Sequence, residues 1–123
     1  MQHSPRFLAL CEAARTRVSE IEIDELLAWR RDGRSFHLMD VREEAEWRAG
    51  HLPGAAHLCK GILERDVERA IPDPDATVVL YCGGGYRSAL AADAMQQMGY
   101  RQVRSMAGGW RAWQARGLPV ETP

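Results

Sequence analysis

The residues best suited to chemistry lie in one stretch, Tyr81-Cys82-Gly83-Gly84-Gly85-Tyr86-Arg87-Ser88, between an apolar β-type run and a regular helical pattern. A cysteine at the end of a strand, followed by three glycines and a helix start, meets a backbone that can curl and turn its N–H groups inward. Those amides and the positive end of the helix favour negative charge on or beside the sulfur. The spacing therefore predicts a Cys82 thiol of lowered pKa, partly ionised at neutral pH and nucleophilic. Gly83, Gly84, Gly85, Tyr86 and Ser88 complete the loop. Arg87, at the helix start, either locks it or offers positive charge to an anionic substrate. An ordinary strand-end cysteine ahead of a Gly-rich turn is the structural alternative. A phosphate-binding loop is another, but the Lys and Ser/Thr of Walker spacing are absent.

These residues need elements to hold them. Ser35–Val41 and Thr77–Cys82 read as buried strands, and Ala56–Leu58 and Gln102–Met106 as shorter ones. Residues 5–15 are Ala-rich and suit a helix packed outside the core. Ile23, Leu26 and Leu27 share a helical face that stops near Gly33. Ala91, Ala94, Met95 and Met98 follow i, i+3, i+4, i+7 spacing, with Gly99 as the stop. A last short helix carries Trp110 and Trp113 and ends at Gly117-Leu118-Pro119. Strands alternating with helices imply a parallel sheet covered on both faces, with ligands outside the carboxyl ends of its strands.

Length and composition set the outer limits. A chain of 123 residues that is 46% hydrophobic and 27% charged has the make-up of one folded domain rather than a disordered chain. Sixteen basic against 17 acidic side chains give a net charge of −1, no footprint for a nucleic-acid or anionic-membrane binder. The charge is uneven: residues 81–123 carry five basic and two acidic groups, a mild preference for anions. Fifteen of the cations are Arg and only Lys60 is Lys, which reads first as genome composition. No apolar run reaches membrane-span length, and the first residues lack the pattern of a secretory leader. Cys11, Cys59 and Cys82 are odd in number and irregular in spacing, so a disulfide framework is not expected. These features lead to the expectation of a reduced, cytoplasmic protein without a membrane anchor.

The loop Cys82-Gly-Gly-Gly-Tyr-Arg87-Ser88 resembles the active-site loop of single-domain rhodaneses, the thiosulfate-type sulfurtransferases. Leu38-Met-Asp-Val-Arg42, then Glu46 and Gly50-His-Leu-Pro-Gly-Ala55, is similar to that family's upstream signature. Met98-Gly-Tyr100 with Ala107-Gly-Gly-Trp-Arg-Ala-Trp113 resembles its C-terminal one. The likeness runs from about Val18 to Leu118 in the family's order. It implies a rhodanese-like α/β fold: a five-stranded parallel sheet, helices on both faces, and the cysteine loop at the carboxyl edge. Residues 1–123 are then one domain, with 1–17 as an N-terminal helical extension and 18–118 as the core. The resemblance also implies ping-pong transfer of a sulfane sulfur from a donor such as thiosulfate to cyanide or a thiol, through a Cys82 persulfide, with no cofactor. A non-catalytic or carrier module loaded by a protein partner is the competing reading. A phosphatase on a related fold is disfavoured, because such loops hold five residues between cysteine and arginine and this one holds four.

Four further residues are supporting candidates. Asp40 could orient the active-site edge and Arg42 could attract anionic donors, or the two form a structural ion pair. Cys59, after the third strand, could be a resolving thiol for Cys82 or a bystander, and it departs from the small or hydroxyl residue usual there. Lys60 could draw in thiosulfate or serve an ordinary surface role. His37, His51 and His57 read as structural. With no second Cys/His pair beside His57 and Cys59, no metal site is expected. Tyr86 is expected to point outward and narrow access, Cys11 to pack, and Trp110 and Trp113 to fill core or rim. The donor, the acceptor and the oligomeric state are not legible.

Overall fold

A computed structural model describes residues 2–123. The Ala-rich start forms α1 (Pro5–Arg15), with Pro5 in the first turn, where its missing N–H has no intrahelical partner to lose. Five strands follow: β1 (Ser19–Ile21), β2 (His37–Asp40), β3 (Ala56–His57), β4 (Thr77–Tyr81) and β5 (Gln102–Met106). All pair in parallel, in the order β1-β5-β4-β2-β3. The connecting helices are α2 (Ile23–Arg31), α3 (Glu44–Ala49), α4 (Leu63–Ala70), α5 (Tyr86–Gln97) and α6 (Gly109–Ala115), with a 3-10 turn over Lys60–Ile62. The fold is thus the α/β arrangement of five parallel strands with helices on both faces.

Each face has its own core, and the central strand β4 divides its side chains between them. Val78, Leu80 and Cys82 face the side covered by α4 and α5, with Leu63, Val67, Ala91, Ala92 and Met95. Val79 and Tyr81 face the other side, against Leu26 and Trp29 of α2 and Trp113 of α6. This alternation is why β4 reads as a continuous apolar run: both faces of a parallel strand are covered. Leu63, Val67 and Ile71 sit one turn apart and are all fully buried, which fixes the inner face of α4.

Three elements, β1, α3 and α4, escaped the reading from residues along with the 3-10 turn; α4 buries only Leu63 and Val67 among charged side chains, too few for a recognisable period. β1 is a three-residue edge strand of which only Ile21 is buried, too short for an alternating pattern. α3 buries no residue and so lacks a hydrophobic period. Its start is set by reciprocal capping, Glu43 receiving the Glu46 N–H while the Glu46 carboxylate receives the Glu43 N–H.

The chain crosses from β4 through α5 to β5 in one direction and from β2 through α3 to β3 in the other. Cys82 therefore stands just past the carboxyl end of β4, at the point where the strand order diverges and parallel sheets leave a crevice. No helix among the described residues is long and apolar enough to cross a membrane.

Candidate active site

β4 delivers Cys82 to this edge nearly fully buried, at 1% exposure, and the next three residues turn the chain back into α5. The turn closes at Gly85, the N-cap of α5, whose φ of 95° lies in the left-handed region that glycine enters without a Cβ penalty. The loop backbone then points at the sulfur. Cys82 Sγ accepts from the Gly85 N–H at 3.2 Å and the Ser88 N–H at 3.3 Å. The Ser88 hydroxyl lies 3.5 Å away and pairs on its far side with Ser105 at 2.7 Å. When the sulfur is a thiolate, Ser88 donates to it and Ser105 donates to Ser88. Burial is the largest single influence on this thiol and disfavours its charge. Hydrogen bonds from the Ser88 hydroxyl and from the N–H groups of Ser88, Gly84 and Gly85 outweigh it, so Cys82 is held below the ordinary thiol range.

Arg87 leaves the first turn of α5 and grips Glu46 of α3 with both ends of its guanidinium, Nη1–Oε1 at 2.8 Å and Nη2–Oε2 at 3.1 Å. Of the two roles open to it, this structure shows the locking one. Glu46 was legible only as a member of a signature. Its hydrogen bond to Arg87 is the main reason its carboxyl is held below the usual range, ahead of the opposing effect of burial.

The C-terminal Gly-Gly-Trp-Arg segment clamps the outside of the loop. The Trp110 N–H donates to the Cys82 carbonyl at 2.8 Å and the Arg111 N–H to the Gly83 carbonyl at 3.0 Å. Gly109 makes this approach possible. Its φ is 55°, and a Cβ there would stand 2.4 Å from the Cys82 carbonyl oxygen. A cavity of about 560 Å³ opens above the sulfur. It is walled by rings of His3, Phe7, Tyr86 and Trp110, with Glu43, Glu46, Arg87 and Arg111 bringing charge. Arg111 was missed in the sequence, since it lies 29 positions from Cys82 and only the packing of α6 brings it to the loop.

Tyr86 does not point outward. It is half-buried beneath the N-terminal segment, with the His3 ring centroid at 4.6 Å, Phe7 at 6.3 Å and the Arg15 guanidinium 4.5 Å over its face. The physical reason is α1, which packs on α5. Arg17, just beyond α1, grips Asp93 of α5 at 3.0 and 2.8 Å. Cys11 packs against the same region, fully buried, with Sγ 3.7 Å from the Tyr86 carbonyl.

Asp40 and Arg42 form a buried ion pair, 0% and 2% exposed, which leaves Arg42 no open path to a donor. The Asp40 carboxylate also accepts the Arg42 N–H at 2.9 Å and the Tyr81 hydroxyl at 2.8 Å. Arg42 reaches the Gly50 carbonyl at 2.7 Å and lies 4.6 Å from the Trp110 ring centroid. The pair thus braces the residue preceding Cys82 and the ring lining the cavity. Cys59 and Lys60 share the carboxyl edge with Cys82, but β2 stands between β3 and β4, and neither residue lines the cavity. His51 is stacked on Trp47 at 3.4 Å and buried, and His57 bonds the Arg42 carbonyl at 2.8 Å. Trp113 is core and donates to the Pro119 carbonyl.

Against known proteins, a model of the rhodanese-like domain matches residues 22–116. The chain is 34% identical over 106 residues to a sulfurtransferase of Allochromatium vinosum, covering 86% of this chain and 97% of that one. It is 36% identical over 101 residues to the probable adenylyltransferase/sulfurtransferase MoeZ of Mycobacterium tuberculosis, covering 82% of this chain but 26% of MoeZ. The chain therefore spans about a quarter of that relative's length. Among solved structures, a protein of unknown function from Rhodopseudomonas palustris, described as a possible tyrosine phosphatase, matches with a TM-score of 0.83. Its identity is 32% over 98% of both chains.

Proposed function

This chain belongs to the rhodanese-like domain family, and on that footing we propose that it is a sulfurtransferase working through a persulfide on Cys82. The observation that carries the reading is the set of donors converging on one buried sulfur, the N–H groups of Gly85 and Ser88 with the Ser88 hydroxyl behind them. In this reading the Cys82 thiolate attacks the outer sulfur of a donor such as thiosulfate. A new S–S bond forms, the donor's S–S bond breaks, and sulfite leaves with the electron pair. Cyanide then attacks the outer sulfur of the persulfide, giving thiocyanate and restoring the thiolate; a thiolate acceptor would leave as its own persulfide. The nucleophile starts as an anion and each leaving group departs as one, so no general base is required. The amides that favour the thiolate are placed to take the charge of the persulfide too. A reducing compartment such as the cytoplasm would keep the free cysteines available as thiols.

Phosphoryl transfer is disfavoured on two grounds. Four residues separate Cys82 from Arg87, and Arg87 commits its guanidinium to Glu46 rather than to the loop interior. The direct assay is thiocyanate formation from thiosulfate and cyanide by the purified protein. Parallel double-reciprocal lines for wild type and complete loss in Cys82→Ser are expected. Turnover by Cys82→Ser at the wild-type rate would contradict the reading. An inactive wild type that accepts sulfur only from another protein would replace it with a carrier role.

A further inference from the structure

The geometry points to Arg111 as the group that receives the anionic end of the sulfur donor and so selects which donors load Cys82. This deepens the sulfurtransferase reading and rests on it for the nature of the donor. Among the described residues, four charged side chains line the cavity, and three are already engaged. The Glu43 carboxylate caps α3, and Glu46 and Arg87 hold each other. Arg111 forms no ion pair or side-chain hydrogen bond among the described residues and remains exposed at the mouth.

Its position is fixed by the glycines after the cysteine. A Cβ built on Gly84 would stand 3.5 Å from Arg111 Nη1 and 3.6 Å from its Cζ, and one on Gly83 would stand 3.9 Å from Nη2. The guanidinium therefore lies across the Gly83-Gly84 backbone, directly after the sulfur-bearing residue. Main-chain bonds from Trp110 and Arg111 to the Cys82 and Gly83 carbonyls anchor the root of that side chain. Between Cys82 and Arg87 the loop carries no basic side chain, so α6 supplies from outside the cation that the loop lacks. A planar guanidinium fork matches the oxygens of a sulfonate or carboxylate, and apolar walls such as Phe7 and Trp110 reduce solvent screening of that contact.

Two alkylating agents test this independently of sulfur chemistry. Iodoacetate and iodoacetamide attack the same thiolate by the same displacement and differ in one carboxylate charge. Rates are read at Cys82 by peptide mapping. Arg111→Gln is expected to lower the iodoacetate-to-iodoacetamide rate ratio by about three- to tenfold, the scale of one charge-assisted contact. Arg111→Lys should retain part of the preference, and the iodoacetamide rate should stay near wild type because the thiolate's own donors are untouched. The thiosulfate concentration that half-loads Cys82 should rise by a similar factor in Arg111→Gln. An unchanged ratio in Arg111→Gln overturns the inference. If wild type takes no sulfur from thiosulfate while the ratio still falls, Arg111 keeps its anion-receiving role and the thiosulfate reading is what fails.

Discussion

Ser88 acts on Cys82 twice, through its N–H and through its hydroxyl, and it is fully buried. Replacing it by Ala removes the hydroxyl and leaves Ser105 without its 2.7 Å partner. The midpoint of Cys82 alkylation by iodoacetamide as a function of pH is expected to move upward, slowing the reaction at neutral pH. A midpoint unchanged from wild type would contradict the role given to the hydroxyl. Because the folded-state pKa is depressed, the interaction stabilises the fold above the ordinary thiol range and is lost as pH falls through the folded value. The stability deficit of Ser88→Ala from this source should therefore grow toward alkaline pH. It adds to about 1–3 kcal/mol for the unpaired buried hydroxyl, measurable by urea unfolding. At this scale the sequence was legible where chemistry is local: Cys82, its glycines and Arg87 are contiguous, and their spacing alone implies an anion-favouring bowl. Ser105, Glu46 as the partner of Arg87, and Arg111 come from β5, α3 and α6, and their roles exist only after those elements dock.

The docking of α6 on the loop depends on Gly109. Gly109→Ala places a Cβ 2.4 Å from the Cys82 carbonyl and 2.9 Å from the Gly83 carbonyl carbon, both backbone atoms with no rotamer to yield. A loss of about 2–4 kcal/mol is expected, summing left-handed strain and overpacking. Gly33→Ala is the matched control: its φ is 73° with nothing within 4 Å of the added Cβ, so only the strain, about 1–2 kcal/mol, should appear. Urea unfolding of the two variants separates the terms, and equal losses would show that α6 does not bear on the loop as described. β4 and α5 have dense apolar patterns and were read within a residue or two. β1 and α3 have almost no buried side chains, α4 places only Leu63 and Val67 in the core among charged residues, and none of the three was read; the five-strand count came from the family resemblance rather than from periodicity.

Across the whole molecule, the Asp40–Arg42 pair joins β2, Tyr81 of β4, the Gly50 turn and the Trp110 ring into one buried polar knot. Tyr81 shows how enclosed the knot is: burial and the Asp40 carboxylate together push its hydroxyl well above the ordinary tyrosine range. Asp40→Asn would leave the Arg42 cation buried without its counter-charge, a change that costs about 3–5 kcal/mol where both groups are dry. That is a large share of the 5–15 kcal/mol typical of a domain, so a clear fall in urea midpoint is expected. A variant as stable as wild type would mean that water or another carboxylate reaches Arg42. The sequence left Asp40 and Arg42 open between an ion pair and a donor site, since two residues at i and i+2 past a strand end can turn either way. Burial by Trp110 and the Gly50 turn decides it, and both lie outside the local window. The N-terminal segment shows the same limit: its helix was legible, but its cover over Tyr86 depends on α1 packing against α5.

Whether Cys82 carries sulfur is read by intact mass after incubation with thiosulfate. A gain of about 32 Da, one sulfur atom, is expected on wild type, removed by cyanide and absent from Cys82→Ser, as for transfer through a covalent intermediate on an anion-stabilised cysteine. The same gain on Cys82→Ser, or a gain on wild type that cyanide leaves in place, would rule out a transferable persulfide on Cys82.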